Sequence, residues 1–81
     1  MNIKEKYNKI FTDCFSVAPA SLDDKFIYQS VAAWDSVGHM GMIAAIEETF
    51  SITMETDDIV DFGSYNKGKA ILQKYGVKVE D

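Results

Sequence analysis

The chain has one cysteine, one histidine and one proline in 81 residues, and each scarcity closes off a class of function. Cys14 alone cannot form an internal disulfide, and no Cys/His cluster has the spacing of zinc ligands. A reducing compartment, the cytoplasm, is the expected location. With His39 as the sole histidine there is no His-based metal site and no Ser-His pair with a defined orienting acid. No nucleophile-elbow motif is visible either, so a small hydrolase is disfavoured and no catalytic residue is assigned. Basic residues are the minority, eight against thirteen acids, and a formal charge of -5 repels nucleic acid and attracts basic patches on protein partners. No apolar run approaches the length needed to span a bilayer, and Met1 to Glu5 carries no long apolar segment of the signal-peptide kind.

What remains is the material for one small helical domain. The apolar fraction is 47%, with five Phe, four Tyr and one Trp, which suits a compact core and not a disordered chain. A chain this short buries roughly 60 to 65% of the surface exposed when unfolded, leaving little room for a deep enzyme cleft. Residues 1–81 are read as a single domain and a monomer, ordered over about 2–76, with a fraying tail from Val77 to Asp81.

Ile3, Tyr7, Ile10, Phe11, Cys14 and Phe15 recur on one side of a helix over about residues 2–16. Cys14 therefore reads as core. Between Ser16 and Asp35 the periodicity lapses, and Pro19 with Ser21-Leu22-Asp23-Asp24 predicts a long connection. Leu22, Phe26, Ile27, Val31 and Trp34 are the expected pins that hold it to the helices. A second helix is predicted over about Ser36 to Phe50. Glu55 to Phe62 reads as a short helix with acids on a solvated face. Its calcium-loop alternative fails because Ile59 stands at the third position from Asp57 and the glycine is out of register. Ser64 caps a last helix carrying Tyr65, Ala70, Ile71, Leu72 and Tyr75, with Gly76 as its C′ residue. The expected fold is all-α, three main helices plus one short one.

The informative motif is Asp35-Ser36-Val37 at the start of the second helix. A hydroxyl there lies beside the first unpaired backbone N–H groups, where the helix dipole favours a phosphate, although Asp or Ser at such a position also serves simply as an N-cap. On the helical wheel Met42, Ile43, Ile46 and Phe50 form one apolar stripe. Val37, Met40 and Ala44 form another, edged by Glu47 and Glu48, and a helix apolar on two sides is either central in a core or keeps one side for a partner. His39 reads as a semi-buried residue with one hydrogen bond, with a protonated form beside an anion left open. Trp34 reads as a packing anchor, with a substrate contact left open.

Asp35-Ser36-Val37-Gly38-His39-Met40, Ile46-Glu47-Glu48-Thr49-Phe50-Ser51-Ile52 and Asp57-Asp58-Ile59 together resemble the acyl carrier protein family, over about Ile3 to Tyr75. Val37 and Ile46 stand where that family has Leu. The resemblance implies a four-helix bundle and 4′-phosphopantetheine on Ser36, attached from coenzyme A by a phosphopantetheinyl transferase, with Asp35 helping to orient the serine. It also implies docking of acyl-loading and acyl-processing enzymes, with basic patches, on Val37, Met40, Ala44, Glu47 and Glu48. Cargo shelter is implied along Met42, Ile43, Ile46 and Phe50. Gly38 and Gly41 replace acids that the family often carries, which points to a specialised pathway. An aminoacyl or peptidyl carrier serving a ligase is the alternative within this class, and a non-enzymatic helical adaptor is the alternative outside it.

Overall fold

A computed structural model describes residues 2–80. Helix α1 runs Ile3–Phe15, a 3₁₀ turn covers Pro19–Ser21, and α2 Ser36–Phe50, α3 Thr56–Asp61 and α4 Tyr65–Gln73 follow. Among the described residues there is no strand, only an isolated bridge between Ile27 and Ser64, and no helix is long and apolar enough to cross a membrane.

Each main helix is bounded by local chemistry. Asn2 and Glu5 close a capping box at α1, Asp35 caps α2, and Ser64 caps α4 by accepting from the Lys67 amide at 2.9 Å. Ser16 and Ser51 end α1 and α2 in the left-handed region, at φ 53° and 54°. Gly76 ends α4 at φ 82°, and two bonds mark a Schellman motif there: Gly76 N–H to the Gln73 carbonyl and Val77 N–H to the Leu72 carbonyl, both 3.1 Å. That motif turns Val77 inward, where it is buried, and Val79 packs behind it. The expected fraying from Val77 onward is thus replaced by a docked segment through Val79.

The core centres on Phe11, whose ring meets those of Tyr7, Phe15, Phe26, Trp34, Phe62 and Tyr65 at 5.0 to 6.4 Å between centroids. Phe15 and Trp34 stack at 5.1 Å with an interplanar angle of 16°. The long connection is held by these rings and by backbone bonds. Tyr28 N–H donates to the Gly63 carbonyl and Tyr65 N–H to the Phe26 carbonyl, both at 2.9 Å, which sews the loop to the α3–α4 junction. Side chains alternate along such an extended segment, so Phe26 turns into the core while Ile27, an expected pin, stays 49% exposed. Leu22 and Val31 are half-buried, as pins at the rim.

Asp58 departs from the solvated face expected of it. Its carboxylate is buried and accepts from Lys74 Nζ at 2.6 Å and from the Tyr75 hydroxyl at 2.5 Å, fastening α3 to the end of α4. The Lys74 bond, then the Tyr75 bond, holds this carboxyl below the usual carboxylate range, and the same contacts raise Lys74 and Tyr75. A lowered folded-state value means that the stabilisation is fully present above the unfolded value, about 4, and is lost as pH falls through the folded one. Asp58→Asn is therefore expected to melt below the parent near neutral pH and to converge with it in acid. Thermal melts across that range check this, and a gap unchanged in acid contradicts it.

Candidate functional site

The residues around Ser36 are arranged by the start of α2. Asp35 has extended backbone and is the N-cap: its Oδ1 accepts from the Gly38 amide and its carbonyl from the His39 amide, both at 2.8 Å. Capping therefore falls to Asp35 and not to Ser36, which occupies the first helical position with its side chain exposed. Its Oγ lies 3.3 Å from the Tyr28 hydroxyl, where either group can donate. Gly38 is covered by the incoming loop so closely that a Cβ there would lie 1.9 Å from the Ala33 carbonyl oxygen.

Behind the serine, Trp34 is fully buried and its indole N–H donates to His39 Nδ1 at 2.9 Å, with the two rings stacked 6.2 Å apart. His39 Nε2 lies 2.8 Å from the Ile59 carbonyl of α3. An indole N–H can only donate and a carbonyl can only accept, so the ring is neutral with its proton on Nε2. His39 makes two hydrogen bonds where one was expected, and neither nitrogen is left to take a proton from Ser36. Trp34 is a packing anchor, with no face open to a substrate.

Beside Ser36 an open groove of about 350 Å³ runs between the start of α2 and α3. Tyr28, His39 and Met40 line one side, and Ile59, Val60 and Phe62 the other. Of the expected docking residues, Val37 is 82% exposed and Met40 53%, with Ala44 and Glu48 also at the surface. Glu47 is not part of that rim. It is half-buried, and its carboxylate accepts from the Met54 amide at 2.8 Å, clipping the chain that leads into α3. Val60, 75% exposed on α3, extends the apolar surface across the groove. It was missed in the sequence because six residues are too few for a helical stripe to stand out, although an aliphatic residue among acids was the available signal.

The expected cargo stripe lies elsewhere. Met42, Ile43 and Ile46 are fully buried in the packed core, Phe50 is half-buried against it, and none of the four borders the groove. They turn inward because α2 packs on α1, whereas the groove beside Ser36 lies on the α3 side of the helix. Cys14 is half-buried, and burial, then Asp13, pushes its thiol up, which disfavours the reactive thiolate.

No protein-family model, no curated protein and no solved structure matches the chain.

Proposed function

We propose that the chain is an acyl carrier protein that bears 4′-phosphopantetheine on Ser36 and presents a thioester-linked acyl group to partner enzymes, in a specialised cytoplasmic pathway. The observation that carries this reading is the division of labour at the start of α2. Asp35 does the capping, so the Ser36 hydroxyl is exposed and is not needed for the fold. A phosphodiester on Oγ would lie beside the first amides of a fifteen-residue helix, where its charge is favoured. The cofactor, when bound, supplies the terminal thiol that holds the acyl group. The protein's own residues position its attachment point: Asp35 orients the turn, Tyr28 meets the hydroxyl, and the groove toward α3 offers an apolar surface to whatever folds back. The protein acts as a monomer, and its acidic charge suits a phosphopantetheinyl transferase and loading enzymes with basic contact surfaces.

Incubation with coenzyme A and a broad-range transferase is expected to add one phosphopantetheine mass increment to the parent and none to Ser36→Ala. The alanine variant should fold normally, because the cap is intact. A parent that never gains the increment with several transferases removes the basis of the reading and favours the helical adaptor, which shares the exposed Val37 and Met40 strip and needs no cofactor. Loading by an amino-acid-activating ligase in place of an acyl ligase would favour the aminoacyl carrier.

Docking is expected to use Val37, Met40 and Val60, with Glu48 at the edge. Met40→Glu should slow modification several-fold with unchanged circular dichroism, because it places a charge in the apolar contact. An unchanged rate moves the docking surface elsewhere.

A further inference from the structure

Helix α3 is six residues long and its N-cap, Glu55, makes no side-chain capping bond, so it has little stability of its own. It is held from outside by side chains of neighbouring segments. On the α4 side Asp58 ties it to Lys74 and Tyr75, and the Tyr75 hydroxyl also accepts from the Glu55 amide at 2.9 Å; Glu47 clips the Met54 amide ahead of it, and His39 grips the Ile59 carbonyl on the side of the groove. Only the last joins α3 directly to the serine-bearing end of α2. The Ile59 carbonyl also accepts the Phe62 amide at 3.4 Å, a long bond, which leaves the imidazole as its shorter partner. The imidazole is itself fixed by the buried indole of Trp34 and by the edge of Tyr28, 5.7 Å away between centroids.

We propose that His39 is the positioning residue of this site: a single neutral tautomer bridges Trp34 to Ile59, locks α3 against the start of α2 and so fixes the width of the groove beside Ser36. The bridge needs an acceptor facing Trp34 and a donor facing Ile59, which one imidazole tautomer supplies in a rigid ring. Replacing it by an aliphatic side chain leaves the buried indole N–H without its partner and the Ile59 carbonyl with only the long bond from Phe62, while keeping the apolar bulk. The wall formed by Ile59, Val60 and Phe62 then moves independently of α2. A bridge that holds the groove narrow restricts it to short cargo; this consequence rests on the carrier reading, whereas the bridge itself does not.

Amide hydrogen exchange on the unmodified protein tests the bridge. In His39→Leu the amides of Ile59 and Phe62 are expected to exchange about tenfold faster or more, with α1 and α4 close to the parent. His39→Gln, whose amide offers one acceptor and one donor, should recover much of the protection. Equal acceleration in α1, α3 and α4, or none in α3, overturns the proposal. Nitrogen NMR of the parent provides a readout that needs no variant: the proton is expected on Nε2, and a proton on Nδ1 overturns the bridge. On protein carrying cofactor and cargo, short acyl groups should raise the melting temperature more than long ones in the parent, and His39→Leu should narrow that preference. An unchanged preference would overturn the link to cargo. A parent that cannot be loaded would overturn that link together with the carrier reading, and leave the exchange result standing.

Discussion

Trp34→Ala is expected to lose about 3 to 5 kcal/mol of folding stability, a large part of the roughly 5 to 15 kcal/mol available to a small domain. The indole is fully buried and sits among Phe11, Phe15, Phe26 and His39, so truncation opens a cavity where the long loop meets α1 and α2. It also leaves His39 Nδ1 without its donor. Trp34→Phe keeps the stack on Phe15 and loses only the donor and part of the volume, so its loss should be clearly smaller. Urea unfolding of both variants checks this. Equal, small losses would mean that the loop is not anchored through the indole.

Gly38→Ala and Gly41→Ala should change stability in opposite directions, although both replace a glycine within α2. At Gly41 nothing lies within 4 Å of an added Cβ, so alanine should stabilise the helix by about 1 kcal/mol. At Gly38 the added carbon would lie 1.9 Å from the Ala33 carbonyl oxygen, and the obstacle is backbone. The loop must then shift away from the helix start, at about 1 to 3 kcal/mol, more than the helix gains. Because Ala33 immediately precedes Trp34 and Asp35, Gly38→Ala should also slow modification of Ser36, whereas Gly41→Ala should not disturb the turn. Two stabilised variants would show that the loop does not cover Gly38.

These two glycines mark where sequence reading stops. Helix propensity alone makes each a cost to α2, smaller at Gly38 near the helix start, and the path of the loop over Gly38 is what reverses the sign there. Features set by neighbouring residues were legible: α2 begins at Ser36 and ends at Phe50 because Asp35 caps it and the apolar periodicity stops there, and Gly76 was recognisable as the residue that terminates α4. Features set by contacts between distant segments were not. Glu47 looked like a surface acid until the chain returned Met54 to it, and Asp58 looked solvated until α4 delivered Lys74 and Tyr75. The groove beside Ser36 depends on the approach of α3 to α2, fixed by a bond between residues twenty apart, and no periodicity in either helix encodes it. The apolar stripe of Met42, Ile43 and Ile46 read from the helical wheel is buried as its spacing requires, whereas cargo shelter along it came from the resemblance and not from the periodicity.

The most direct measurement is site-resolved fragmentation mass spectrometry of the protein after incubation with coenzyme A and a phosphopantetheinyl transferase. The carrier reading predicts a single increment located on Ser36, beside the Asp35 cap, with Ser30, Ser51 and Ser64 unmodified. An increment on another residue, or none on a folded protein with any transferase tried, would contradict it.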